Sequence, residues 1–189
     1  MGANLITRAE YKAYKNLNTP NHDAEIDALI PKVSELVKTY CARSFLDYVD
    51  EAKVEHFNGA VPAFILKEWP VIAVDSVEYS SDYGQTYSPI TEFVDWVHDE
   101  GYIVATAPDG FARQLRGYRV TYKAGFPEGI PEDLKLAVMD LVSYYRQNDA
   151  AVHSTKAPGT NSVQIEYIST TTLPAHIRRI LDLYRADYT

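Results

Sequence analysis

The sequence predicts an α+β protein. A four-helix body is drawn from both ends of the chain, with a small antiparallel β-sheet or barrel inserted between the second and third helices. Three observations predict it. Apolar residues recur at spacings of three and four near both ends, which marks one buried helix face. Between Ala52 and Ala124 the pattern changes to short alternating runs separated by turn dipeptides, the signature of strands. The two regimes meet in GYRVTYKAGFPEGIPEDLKLA, Gly117 to Ala137, where the hydrophobic period moves from two to about 3.6. The expected division is a helical core of residues 1–50 and 131–189 and a β-rich insertion of residues 51–130.

Thr7 followed by Glu10 has capping-box spacing, so a short first helix is expected over Arg8 to Lys15. Leu17-Asn18-Thr19-Pro20-Asn21 ends it. A longer helix is expected from Asp23 to Ser44, with Ile26, Leu29, Ile30, Val33, Leu36, Val37, Tyr40 and Cys41 on one face. Acidic residues crowd its start and Lys38 and Arg43 its end, both favourable to the helix dipole. Pro31 implies a kink or a staggered start.

Val54–Phe57, Ala63–Leu66, Val71–Tyr79, Glu92–Val97, Tyr102–Ala105 and Tyr118–Ala124 are the strand candidates. Asn58-Gly59 and Asp109-Gly110 are turn dipeptides, and Trp69-Pro70 implies an edge or a crossover. His98 to Gly101 fits a hairpin turn. A third helix opens at Pro131, whose missing N–H costs nothing there, and buries Leu134, Ala137, Val138, Leu141, Val142 and Tyr145. Asn148 to Ser162 loses periodicity, Val163–Ile168 alternates, and a last amphipathic helix follows Pro174 with Ile177, Ile180, Leu181 and Tyr184 on one face.

The 189 residues carry a formal charge of −8. Residues 51–130 hold 6 Lys/Arg against 12 Asp/Glu, the opposite of a surface built to grip phosphates. Apolar runs are too short for a membrane-spanning helix, and the N-terminus lacks signal-peptide character, so a soluble chain from a reducing compartment is expected. Cys41 is the single cysteine, which leaves no intrachain disulfide and reads as a small core residue.

Catalytic signatures are sparse. His22, His56, His98, His153 and His176 have no partner at metal-ligand spacing, and no phosphate loop, nucleotide fingerprint or nucleophile elbow occurs. No catalytic residue, cofactor or metal is expected. Glu92, Asp95, Asp99 and Glu100 are the weak basis for an alternative, a metal-dependent nuclease or hydrolase. A second alternative is a sugar- or peptide-binding β module using Trp69, Trp96 and Tyr102. The surplus residue is tyrosine, 15 in all. Its apolar ring and polar tip suit protein contacts, and Tyr83, Tyr87, Tyr184 and Tyr188 are the better interface candidates.

LITRAEYKAYKNL, IPKVSELVKTYCARSF, Val120-Thr-Tyr-Lys-Ala-Gly-Phe126, Pro131-Glu-Asp-Leu-Lys-Leu-Ala137, and Leu173-Pro174 with Ile177, Leu181, Tyr184 and Arg185 stand in order along the chain. Together these segments resemble the tailed-bacteriophage head–tail connector proteins, also called adaptor or head-completion proteins. The resemblance spans nearly the whole chain. It implies a non-enzymatic virion protein at the head–tail interface, made in the cytoplasm of a bacterial host. It further implies a ring of identical subunits, typically twelve, beneath the portal protein. Such a ring extends the DNA channel and docks a stopper or tail-completion protein, while DNA passes without specific binding. A ring needs two different contact faces on each subunit. The segment Asn148–Ile168 is expected to supply one as an arm, with Asn148, His153, Pro158, Asn161, Gln164 and Tyr167 as contact candidates. The acidic insertion is expected on the outside.

Overall fold

The computed structural model describes residues 2–147, 152–156, 163–167 and 173–186. The helices are α1 (Arg8–Tyr14), α2 (Asp23–Cys41), α3 (Glu132–Gln147) and α4 (Ala175–Leu183). The strands are β1 (Lys53–Phe57), β2 (Ala63–Ile65), β3 (Val71–Tyr79), β4 (Ser88–Pro89), β5 (Trp96–Asp99), β6 (Tyr102–Ala105), β7 (Tyr118–Ala124), β8 (Val152–Lys156) and β9 (Val163–Tyr167). The chain is α+β, with antiparallel sheets between the second and third helices. It divides into two compact units, one of Asn4–Cys41 and Pro131–Arg185, the other built mainly from Ala42–Ile130.

In the helical unit, the capping box forms as the spacing requires. Thr7 Oγ1 accepts from the Glu10 N–H at 3.2 Å, and the Glu10 carboxylate accepts from the Thr7 N–H at 2.7 Å. Ile26, Ile30, Val33, Val37 and Cys41 of α2 are buried, as are Leu134, Ala137, Val138, Leu141 and Val142 of α3 and Ile177 and Leu181 of α4. Leu36, expected on the buried face of α2, is exposed, while Ser34 takes an inward position. The Ser34 hydroxyl accepts from the Leu5 N–H at 3.1 Å, which explains a buried serine on an apolar face. Pro31 lies within a helix that runs unbroken to Cys41, and a 3₁₀ turn over Pro20–His22 precedes it. Strands β8 and β9 pair antiparallel, so Val152–Lys156 is a strand where the sequence shows no period.

In the β unit, a four-stranded sheet has the order β1-β7-β3-β4 and a three-stranded sheet the order β2-β6-β5. Strand β7 alternates as the sequence implies, with Tyr118, Val120, Tyr122 and Ala124 buried, and its pairing makes it an inner strand between β1 and β3. Strands β2 and β3 belong to different sheets, so Trp69-Pro70, a cis peptide, marks a crossover. Phe57, Phe64, Phe111, Tyr118 and Tyr79 form a continuous aromatic core, with Phe64 and Phe111 stacked at 4.0 Å. Asn58-Gly59 does not close a hairpin, because β1 pairs with β7. The glycine is required by close approach instead: a Cβ there would lie 1.7 Å from the Ala112 carbonyl oxygen.

A buried polar cluster holds the base of this unit. The Tyr122 hydroxyl donates to Glu55 Oε1 at 2.6 Å and accepts from the Glu68 N–H at 3.1 Å. Lys53 Nζ lies 3.2 Å from both the Glu55 and Glu68 carboxylates, and the Ser44 N–H donates to Glu68 at 2.9 Å. Both carboxylates are buried, at 7% and 6% exposure. Burial, then the Glu55 carboxylate, push the Tyr122 phenol far above its ordinary range. Removing the hydroxyl leaves the buried Glu68 N–H without this acceptor and leaves Glu55 with Lys53 alone. Tyr122→Phe is therefore expected to lower the unfolding free energy by about 1–3 kcal/mol in urea titration. A loss below about 0.5 kcal/mol would show that the cluster is satisfied without it.

Candidate interaction surfaces

The β unit spends hydrogen bonds and backbone strain on holding apolar side chains out in solvent. The loop after β3 is organised by Asp82. Its carboxylate accepts from the Ser80 hydroxyl at 2.6 Å, the Thr86 hydroxyl at 2.6 Å, and the Thr86 and Gln85 N–H groups at 2.8 and 3.0 Å. Those bonds, from Ser80 and then Thr86, hold its pKa well below the usual carboxylate range. The loop places Tyr83 at its apex, 67% exposed and at φ 62°. A left-handed backbone costs a side-chain-bearing residue about 1–2 kcal/mol.

Tyr87, from the same loop, turns back over the outer face of the four-stranded sheet. Its hydroxyl donates to the Arg116 carbonyl at 3.0 Å, its ring lies 4.4 Å from the Arg119 guanidinium, and it meets His56 at 5.7 Å. Arg119 is fixed by two hydrogen bonds to Glu78, of 2.6 and 2.9 Å. Gln114 donates to the Ser81 carbonyl at 3.1 Å, which ties the turn carrying Arg113, Leu115 and Arg116 to the Tyr83 loop. Leu115 is 60% exposed, and Arg113 and Arg116 are exposed. Burial, then Arg116 and Arg119, lower the His56 pKa, so this corner is locally positive.

A second projection follows β4. The Thr91 N–H donates to Asp95 Oδ2 at 2.7 Å, the Asp95 N–H to the Thr91 carbonyl at 2.8 Å, and the Phe93 N–H to the Trp96 carbonyl at 2.7 Å. The Thr106 hydroxyl donates to the Val94 carbonyl. The rigid turn that results leaves Phe93 78% and Val94 67% exposed between two acids, Glu92 and Asp95. A cleft of about 590 Å³ beside it is lined by Tyr79, Ile90, Val94, Ala112 and Tyr118 among others. Glu92–Asp95 is thus a turn and not the start of a strand, because the Asp95 side chain caps Thr91.

This geometry separates the acids of the nuclease alternative. Asp95 precedes β5 and Asp99 is its last residue, which puts about 13 Å of extended chain between them. Among the described residues no group of three or more His, Cys, Asp and Glu could hold a metal ion. Of the aromatics in the sugar-binding alternative, Trp96 is core, 4% exposed with its Nε1–H donating to the Ile90 carbonyl. Trp69 and Tyr102 are half-exposed, with Trp69 packed over Gly101 and beside Arg43.

The interface candidates read from sequence divide. Tyr83 projects freely, whereas Tyr87 is consumed by contacts within its own sheet. Tyr184 is half-buried and donates to Asp133 at 2.6 Å within the helical unit. His153 lies on β8 opposite Glu166, and Gln164 and Tyr167 lie on β9 opposite Thr155 and Val152. Asn148, Pro158, Asn161 and Tyr188 lie outside the described residues. Phe93, Val94, Arg113, Leu115 and Arg116 are absent from the sequence-derived set. The Thr91/Asp95 spacing around an apolar pair was the available signal for the first two.

Residues 4–186 match the family model described as head completion protein. A curated relative, the head completion protein of Escherichia phage T5, is 22% identical over 187 residues, covering 96% of this chain and 98% of the relative. A chain from the neck of an empty gene transfer agent particle with C6 symmetry superposes with TM-score 0.63 at 16% identity, covering 98% of this chain and 91% of that one. A chain from the neck of the native particle with C12 symmetry gives TM-score 0.58 at 16% identity, covering 100% and 97%. At these identities the structural likeness is one of fold.

Burial, then the Asp133 carboxylate, push the Tyr184 phenol up to about 12 from its ordinary 10.0. The folded pKa is raised, so the stability this bond contributes is complete below pH 10 and is lost as the pH rises towards 12. Ultraviolet titration of the chain against Tyr184→Phe is expected to resolve one phenol near 12. Asp133→Asn is expected to return it towards 10; a phenol already near 10 in the unsubstituted chain would contradict the assignment.

Proposed function

The chain belongs to the head completion protein family, and from that premise we propose that it is a structural, non-enzymatic protein of a phage-type neck. In this reading it forms a ring of identical subunits, twelve in number, beneath the portal protein. The ring continues the DNA channel and offers its far side to a stopper or tail-completion protein. The observation that carries the reading is the family match over residues 4–186.

Physical features support it. The chain carries no excess of basic residues with which to grip the DNA backbone, which suits DNA sliding past without adhering. A subunit in a closed ring needs two unlike contact faces, and this chain holds rigid apolar projections out in solvent. The segment from Asn148 to Ile168, with His153, Gln164 and Tyr167 on the β8–β9 pair, is the arm proposed to reach a neighbour or the portal, and the β unit is proposed to face outward.

The test is reconstitution. Purified chain added to DNA-filled, portal-bearing heads that lack a neck is expected to add a ring of density beneath the portal in electron micrographs, and to stop DNA leakage when the tail-side protein is also supplied. Heads that gain no density would overturn the reading.

A further inference from the structure

Building on the ring reading, we propose that adjacent subunits join through the β unit: the basic Tyr83/Arg113/Leu115/Arg116 corner of one copy docks on the acidic Glu92-Phe93-Val94-Asp95 turn of the next. The two surfaces are complementary in charge and alike in build. Each exposes large apolar side chains, Tyr83 and Leu115 at 67% and 60% on one, Phe93 and Val94 at 78% and 67% on the other. Each is pinned by hydrogen bonds before any partner arrives, so little side-chain or loop entropy remains to be lost on docking. The corner gathers three of the six basic residues of 51–130, Arg113, Arg116 and Arg119, and of these three only Arg119 is spent on an ion pair, with Glu78. Asp82, in the Tyr83 loop, keeps its charge within four hydrogen bonds, so with Glu78 it leaves three guanidiniums against two carboxylates, an excess of one positive charge at the corner. The acidic turn adds Glu92 and Asp95, with Asp109 in the loop beside the cleft.

Direction comes from the sheet. His56, Arg119 and Glu78 occupy one register row and share a face, with Tyr87 laid over it. Phe57, Tyr118 and Tyr79 occupy the next row and point to the opposite face, where Tyr79 and Tyr118 line the cleft beside Val94. The Arg119–Tyr87 side of the corner and the cleft beside the acidic turn therefore lie on opposite faces of one sheet. Complementary patches on opposite faces do not satisfy each other in a two-fold pair; they propagate head to tail, which gives a ring when the rotation closes. The cleft beside Val94 gives an incoming Leu115 or Tyr83 an apolar place to lodge.

The contact is read by cysteine pairing in the full chain, whose own Cys41 is buried at 0% exposure. A chain carrying both Val94→Cys and Leu115→Cys, oxidised at high concentration and in neck-bearing particles, is expected to give a ladder of cross-linked multimers on non-reducing gels. Each single variant is expected to stay monomeric. Arg113→Glu with Arg116→Glu should cut the cross-linking roughly tenfold or more, and adding Glu92→Arg to that chain should restore it. Dimers from a single variant would mean a two-fold contact and overturn the proposal. Particles that contain the chain yet yield no ladder would overturn this contact while leaving the ring reading intact. Unsubstituted chain that never enters portal-bearing particles would overturn both. Duplex DNA binding lost in the Arg→Glu variants, without any ladder, would make nucleic acid the partner of the corner and overturn the proposal.

Discussion

The phenol of Tyr122 is the joint on which the β unit turns. It accepts from the Glu68 backbone and donates to Glu55, while a single ammonium, Lys53, serves both buried carboxylates. Two acids and one base in a dry site are costly unless they are paired, and of the four carboxylate oxygens only Glu55 Oε2 lacks a partner. The chain is therefore held in one arrangement: β1 beside β7, the crossover strand entry at Glu68 beneath them, and the segment leaving α2 fastened through Ser44. Edge strands and loops build outward from that fixed base.

Rigidity at the base permits exposure at the far end. Tyr83, Phe93 and Arg116 all adopt left-handed backbone angles, at 62°, 61° and 51°, which side-chain-bearing residues take up only when their surroundings over-determine them. Here the surroundings are the Asp82 and Asp95 carboxylates, each spent on its own loop. An isolated soluble domain gains nothing from such an arrangement, because it holds apolar surface in water at a cost in strain. An assembly subunit does gain, since loops already in their bound shape associate without further ordering. The fold shared with neck proteins of gene transfer agent particles and the family match agree with that economy.

Much of the candidate interface was hidden in the sequence for a definable reason. Glu92 to Val97 reads as a strand because Phe93, Val94, Trp96 and Val97 look like one apolar run. Only the Asp95 side chain, bonded back to Thr91, divides that run into an exposed turn and a buried strand. Arg113, Leu115 and Arg116 lie well over twenty residues from Tyr83 in sequence, and no local pattern states that they share its corner. Tyr87 illustrates the converse. Composition marks it as a contact residue, yet Arg119 and the Arg116 carbonyl, reached through strand pairing, consume it within the fold.

Periodicity and punctuation by themselves determined the fold class, most of each helix face, the capping box, the alternation of β7 and the order of segments, because each is set by residues close together along the chain. Tertiary structure alone decided that Asn58-Gly59 is a close approach and not a hairpin, and that β2 and β3 part into separate sheets. It alone decided that Ser34 replaces Leu36 inside, and that Glu92–Asp95 is an exposed turn rather than part of a strand. Those outcomes depend on which strands pair across long stretches of chain. Pairing is selected by the burial of all the faces together, a quantity no short window of residues contains.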